Sequence, residues 1–106
     1  FDAREMIDQG MTLALATDLC PGCWTESQHF VMVLACRSYG MSPEEAMVAT
    51  TLGGAKALSL DSDRGSLEIG KLADIQIWNI PTFEDVIYRL DRNVVGSVIK
   101  SGEICF

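Results

Sequence analysis

Residues 14–23 read Ala-Leu-Ala-Thr-Asp-Leu-Cys-Pro-Gly-Cys, so that an apolar, strand-like run ends at Asp18 and a Pro-Gly loop follows. A strand that delivers one carboxylate at its end, before a loop and a helix, is typical of enzymes built on parallel sheets and barrels. In these enzymes, loops at the carboxyl ends of the strands form the active site. Asp18 is therefore a candidate catalytic or metal-binding residue. An aspartate after a strand also serves as a turn former or helix cap, which leaves a structural role open.

The same stretch contains a Cys-x-x-Cys motif, Cys20 to Cys23, which is typical of thiol redox proteins and of zinc sites. Two observations speak against redox chemistry. The predicted helices follow one another without the strand of a βαβ unit, and the charge of Asp18 opposes thiolate formation. One motif is also half of a four-ligand zinc site. Cys36 and Cys105 are spaced unlike a second half, and we predict that both are core residues.

Composition excludes several functional classes. The 106 residues are 48% hydrophobic and carry a formal net charge of −7, with eight scattered basic residues. An acidic chain without a Lys/Arg cluster repels phosphate backbones, so no nucleic-acid partner is expected. No apolar run reaches the roughly 18 residues of a membrane span. We expect a cytoplasmic protein with reduced thiols, and the first residue, Phe1, leads directly into helical sequence, as in a piece of a longer protein.

Two elements are predicted at the start of the chain. Asp2 and Glu5 form the pattern of a capping box that opens a short helix, and Gly10 is its expected end. Residues 11–17 follow as a nearly continuous apolar run. Such a run predicts a strand buried on both faces, as in a parallel sheet.

Two longer helices are predicted next. A second capping box begins at Thr25 and predicts a helix that continues to about Tyr39. Ser42, followed by Pro43 and two glutamates, is the clearest helix start in the chain, and that helix is expected to continue to about Leu60.

The chain changes character after a turn cluster at residues 61–65. Period-2 alternation over residues 75–80 predicts a strand, and a short helix is expected from about Thr82 to Leu90. Residues 94–106, with Ser101-Gly102 at the turn, predict a closing β-hairpin. The predicted organisation is therefore β-α-α followed by a mostly β tail.

Two further features receive structural interpretations. The single histidine, His29, lies near the start of an apolar helix, which favours a packing residue over a metal ligand. Gly53 and Gly54 lie within a predicted helix, where each costs about 1 kcal/mol relative to alanine. Close packing against a neighbouring element is the expected reason.

One aspartate and one histidine do not form a catalytic metal site, so such a site requires residues outside this chain.

Two further segments point to a known family. Residues 65–74, read with the apolar run 75–78, resemble the tail signature of the amidohydrolase superfamily, and residues 50–58 resemble the helix before it. Asp18 falls where that superfamily has the aspartate of its eighth barrel strand. The resemblance covers almost the whole chain. It implies an α/β fold in which residues 1–60 are the last strand and C-terminal helices of a metal-dependent (β/α)8 barrel, and residues 61–106 are closing strands of a small β-sandwich.

Within the superfamily, the chain is most similar to the imidazolonepropionase family. The Asp-x-x-Pro-Gly loop and residues 86–94 carry this similarity. The family usually has Asn and Ser or Thr at the positions of Cys20 and Cys23, beside the substrate. Because thiols are poor hydrogen-bonding groups, this difference weakens the transfer of those roles. Cys20, Gly22 and Cys23 are nevertheless the residues that the similarity places at the substrate.

The resemblance implies metal-assisted hydrolysis that opens the ring of 4-imidazolone-5-propanoate to N-formimidoyl-glutamate in histidine degradation. A divalent zinc or iron ion would activate water, and Asp18 would ligate the metal, accept a proton and pass it to the leaving nitrogen. The implied partners are a small cyclic amide and the remainder of the parent polypeptide, and a homo-oligomer is expected. The chain alone is expected to be inactive.

Two alternatives stay open at this point. One is a related cyclic amidase or deaminase on the same scaffold. The other, from a different class, is a stand-alone thiol redox or metal-binding module that uses Cys20 and Cys23.

Overall fold

Helices form the first half of the chain and an antiparallel sheet forms the second half. The computed structural model describes residues 1–19, 22 and 24–106. Within these ranges, no helix is long and apolar enough to cross a membrane. The elements in chain order are α1 (Ala3–Asp8), α2 (Gln28–Tyr39), α3 (Pro43–Val48), a π-helical turn (Ala49–Gly53), α4 (Gly54–Ala57), β1 (Ile75–Trp78), a 3-10 helix (Phe83–Ile87), β2 (Val95–Lys100) and β3 (Glu103–Ile104).

Side-chain caps start the first two helices. The carboxylate of Asp2 accepts a hydrogen bond from the backbone N–H of Glu5 at 3.0 Å, which confirms the predicted start of α1. In α2 the cap is Ser27, whose hydroxyl accepts from the N–H of Phe30 at 3.1 Å. The predicted start at Thr25 is therefore too early. The predicted end is confirmed, because Gly40 adopts the left-handed conformation after Tyr39.

The helix predicted from Ser42 is also confirmed, with an irregular middle. Ser42 and Glu45 form the reciprocal capping box, and Pro43 occupies the first turn. The chain then continues through the π-helical turn into α4 and ends its helical path at Ala57, rather than at Leu60.

Residues 11–17 differ from the prediction. They form no strand in the described part of the chain, and they are not buried on both faces: Leu13 and Leu15 are half-buried, whereas Met11 is 51% exposed. The reason is physical. A parallel strand is buried on both faces only where neighbouring strands pair with it and helices cover it, and the described residues provide helical contacts without a neighbouring strand.

The contact between this segment and the helices explains the glycine pair. A Cβ placed on Gly53 would lie 2.0 Å from the carbonyl oxygen of Leu13. Next to it, the backbone N–H of Leu15 donates to the carbonyl of Ala49 at 3.1 Å. The predicted close packing is therefore confirmed at Gly53. At Gly54 the nearest such atom would be 4.0 Å away, so close packing is not the reason for that glycine.

The tail forms a three-stranded antiparallel sheet with the order β1-β2-β3. The predicted hairpin is confirmed, with Ser101 and Gly102 both at positive φ in its turn. The register between β1 and β2 shifts at Ile77/Trp78, which interrupts the predicted alternation. The helix predicted from Thr82 to Leu90 is instead a 3-10 helix of five residues, Phe83–Ile87, the tighter form that occurs mostly in short pieces.

Asp74 links the residues before β1 to the turn between β2 and β3, at one end of this sheet. Its carboxylate accepts from the backbone N–H of Ser101 at 2.9 Å and from the ammonium group of Lys100. These contacts lower the pKa of Asp74, with the Lys100 hydrogen bond as the larger cause. The aspartate of the superfamily signature thus has a structural role in this chain, because it holds the hairpin turn against the residues before β1.

One hydrophobic core connects both halves. The tail contributes Val86, which is fully buried, and Val94, which is 2% exposed. The other buried side chains come from the helical half, including the α2–α3 loop and the π-helical turn: Ala3, Met32, Ala35, Met41, Ala46 and Ala49. The helices and the tail therefore pack against each other directly.

Candidate active site

Asp18 lies immediately after the segment that packs on the helices. Its side chain is exposed and its φ is 59°, in the left-handed region that aspartate tolerates better than most residues. Leu19 (φ 35°) and Trp24 (φ 27°) also have positive φ. Such backbone conformations cost about 1–3 kcal/mol each and are concentrated at functional sites. The carboxylate of Asp18 is thus exposed, and the backbone that carries it is conformationally constrained.

The substrate-binding residues of the prediction are described in part. Gly22 is exposed in a turn, four residues after Asp18. Cys20 and Cys23 lie outside the described residues.

Asp18 is the one metal ligand predicted in this chain, and the other ligands are predicted to come from residues outside it. Among residues 1–19, 22 and 24–106, no three His, Cys, Asp or Glu side chains lie close enough to hold a metal ion. A lone exposed carboxylate suits zinc or iron as one ligand of several, and it does not form a site by itself.

His29 is a packing residue, as predicted. Its Nε2–H donates to the backbone carbonyl of Val86, a residue in the buried core. This bond connects α2 to the 3-10 helix of the tail. Because the carbonyl accepts, the bonded nitrogen carries the proton, and that nitrogen is not available as a metal ligand.

The two described cysteines differ in their surroundings. Cys36 is half-buried in α2, where burial raises the pKa of its thiol and the carboxylates Glu44 and Glu45 raise it further. A thiol with a raised pKa is a poor nucleophile. Cys105 is exposed near the end of the chain, so the prediction of a core position holds in part for Cys36 and is wrong for Cys105.

A groove of about 550 Å³ lies between residues 15–17 and α2. Among the described residues that line it, no side chain is charged, and the rings of two of them, Phe1 and Tyr39, meet edge to face with centroids 5.2 Å apart. An apolar wall suits hydrophobic side chains rather than a charged substrate. We therefore separate this groove from the candidate active site at Asp18.

Sequence reasoning missed one residue near the site. Gln28, the first residue of α2, donates from Nε2 to the backbone carbonyl of Leu15 at 3.0 Å, three residues before Asp18. No local pattern predicts this bond, because its partners are 13 residues apart and meet only in the folded chain.

Comparison with known proteins is decisive for the family. Residues 1–105 match the amidohydrolase family. This chain belongs to the amidohydrolase family. The resemblance to this family is thereby confirmed, and the thiol module is not favoured. The role of Asp18 stays a prediction.

Individual amidohydrolases cover this chain almost completely. The imidazolonepropionase of Alkaliphilus metalliredigens is 44% identical over 103 residues, which are 96% of this chain and 24% of that protein. That of Symbiobacterium thermophilum is 41% identical, with the same coverage. A crystal structure of an amidohydrolase from Thermotoga maritima superimposes with a TM-score of 0.75 at 29% identity, over 96% of this chain and 24% of that one. The chain therefore spans about a quarter of the length of these relatives.

Proposed function

We propose that this chain is the part of an imidazolonepropionase that carries the catalytic aspartate, in an enzyme that opens the ring of 4-imidazolone-5-propanoate to N-formimidoyl-glutamate in histidine degradation. The observation that carries the proposal is the 44% identity to an imidazolonepropionase over 96% of the chain. The mixed helix and sheet fold, shared with the solved amidohydrolase, supports the same conclusion.

In this proposal, residues 1–60 provide the last strand and the C-terminal helices of a (β/α)8 barrel, and residues 61–106 provide strands of a β-sandwich. Residues 11–17 are then the barrel strand. Their half-buried Leu13 and Leu15 already contact the helices, and the rest of the polypeptide supplies the neighbouring strands. Asp18 lies at the carboxyl end of this strand, where barrel enzymes have their active sites.

Asp18 is the residue that acts in the reaction. Asp18, together with residues outside this chain, would hold a divalent zinc or iron ion, and that ion would supply Lewis-acid activation of water. The carboxylate accepts the proton of the attacking water and returns it to the leaving ring nitrogen. An exposed carboxylate on a constrained backbone is suited to both transfers. Gly22, Cys20 and Cys23 bind the substrate in the loop that follows.

Several large apolar side chains are exposed, which supports the proposal that other protein surfaces cover parts of this chain. Ile69 is fully exposed, and Leu67 and Phe1 are 76% and 74% exposed. Leu67 and Ile69 are close in sequence, and exposed apolar surface usually marks an interface where it is contiguous. We infer that the remainder of the parent polypeptide covers part of it, that the enzyme is a homo-oligomer and that it is cytoplasmic.

The test is Asp18→Asn in the full-length protein. The amide keeps the size of the side chain and cannot accept the proton, so we expect kcat for imidazolonepropanoate to fall by about 10²–10⁴-fold. Asp91→Asn, another exposed aspartate, is the matched control and should retain the wild-type rate. A near wild-type rate in Asp18→Asn would refute the proposed role.

A further inference from the structure

The backbone of Leu13 lies directly against the π-helical turn. A Cβ on Gly53 would lie 2.0 Å from the carbonyl oxygen of Leu13 and 3.1 Å from its carbonyl carbon. Both contacts are with backbone atoms, so no side-chain rotation can relieve them. Any residue larger than glycine at position 53 must therefore displace the segment that leads to Asp18.

Both backbone polar groups of Leu15 are bound by the helices. Its N–H donates to the carbonyl of Ala49 at 3.1 Å, and its carbonyl accepts from Nε2 of Gln28 at 3.0 Å. Leu15 is thus fixed from two directions, by the π-helical turn on one side and by the start of α2 on the other.

The π-helical turn makes the first of these contacts possible. Ala49 begins the turn and Gly53 ends it, and the carbonyl of Ala49 accepts from the N–H of Gly54 as well as from that of Leu15. The wider turn therefore presents a carbonyl and a glycine to the same short piece of backbone. π-Helical turns are rare and are often found at functional sites.

We propose that Gly53 and Gln28 are positioning residues for Asp18: together with the carbonyl of Ala49 they fix the backbone of residues 13–15 and thereby set where the carboxylate, three residues further on, meets the reacting atoms. This inference rests on the proposed function. It adds two residues that touch neither substrate nor metal and that act through the backbone.

The experiment uses the full-length protein with Gly53→Ala and Gln28→Met. Gly53→Ala should lower kcat by about 100-fold, because a displacement of about 1 Å can cost that much. Gln28→Met keeps the chain length and loses the donor, and should lower kcat by roughly 10-fold. In both variants KM should change less than about threefold, the bound metal should stay at the wild-type amount, and hydrogen exchange should be faster at residues 13–17.

Two control variants match these changes. Gly54→Ala adds the same methyl group one residue later, where the nearest atom would be 4.0 Å from the new Cβ. Gln9→Met removes an exposed amide that bonds only to Glu5 among the contacts described. Both should retain the wild-type kcat and the wild-type exchange at residues 13–17.

The outcomes separate this inference from the proposed function. If Asp18→Asn is inactive while Gln28→Met and a folded Gly53→Ala keep the wild-type kcat, the positioning role is refuted and the proposed function stands. A loss of kcat that is matched by loss of metal or by global unfolding also refutes positioning. If Asp18→Asn keeps the wild-type rate, the proposed function itself fails.

Discussion

Residues 11–17 and β1 (Ile75–Trp78) are both short apolar stretches, and they differ in what pairs with their backbones. β1 lies beside β2, which the same tail supplies, and pairs with it in an antiparallel ladder whose register shifts once, at Ile77/Trp78. Residues 11–17 contact helices through individual backbone groups, such as the N–H of Leu15. An apolar pattern therefore marks a segment that can form a strand. Whether it forms one depends on the presence of a neighbouring strand.

The largest expected effect tests this difference directly. We compare hydrogen exchange in the 106-residue chain with exchange in the full-length protein. The amides of β2 should be protected in both. Those of the exposed residues Thr12, Ala14 and Ala16 should exchange quickly in the short chain and orders of magnitude more slowly in the full-length protein, where neighbouring strands would pair with them.

Self-association of the short chain is the necessary control, because an unpaired strand edge can pair with another copy. Light scattering on the same samples identifies monomers. Equal protection of residues 12–16 in a monomeric short chain would contradict the comparison.

The second prediction concerns how the tail is attached to the helices. Gly65 has a φ of 92°, and a Cβ there would lie 2.6 Å from that of Ala55 in α4. Gly65→Ala should therefore lower the free energy of unfolding by roughly 2–4 kcal/mol, from backbone strain and overpacking together. Urea unfolding followed by circular dichroism measures it.

Gly70→Ala separates the two causes. Gly70 has nearly the same φ, 94°, with nothing within 4 Å of an added Cβ. Gly70→Ala should therefore lower the free energy of unfolding by about 1 kcal/mol, from backbone strain alone. Equal losses in the two variants would show that the contact with α4 contributes nothing.

Local signals predicted much of the fold. The Ser42 capping box, the Gly40 helix end and the Ser101-Gly102 hairpin each depend on residues within a few positions of one another, and all three are confirmed. The incorrect predictions depend on distant partners. The strand at residues 11–17 requires neighbours that the described chain does not include, and the period-2 pattern in β1 does not show the register shift against β2.

The candidate site shows the same division. Asp18 is a candidate because of its place between an apolar run and a Pro-Gly loop, and its role stays a prediction. His29 could be assigned to packing from the apolar sequence around it. The glycine pair indicated a close contact near position 53. The identity of that contact, Leu13, and the bond from Gln28 could not be predicted, because they join residues far apart in sequence.

The smallest expected effect is on stability. It concerns the contact between α1, which precedes residues 11–17, and α3. The guanidinium group of Arg4 donates two hydrogen bonds to the carboxylate of Glu45, at 2.7 and 2.9 Å. These bonds are the main cause that lowers the pKa of Glu45, and the bond from the backbone N–H of Ser42 adds to it. After α1, the N–H of Met11 donates to the carbonyl of Met6, so the position of α1 affects where the segment begins.

A carboxylate whose pKa is lower in the folded protein stabilises the fold above the usual glutamate pKa of about 4.3, and this contribution is lost as the pH falls through the lower, folded value. The urea midpoint of the full-length protein should therefore fall below about pH 4.3, and Glu45→Gln should reduce the part of this fall that Glu45 causes. At neutral pH the pair is partly exposed, so Glu45→Gln should cost at most about 1 kcal/mol. A double-mutant cycle with Arg4→Gln isolates the pairwise contribution. A coupling energy of zero, or the same midpoint-against-pH curve in wild type and Glu45→Gln, would show that solvent screening cancels the attraction between α1 and α3.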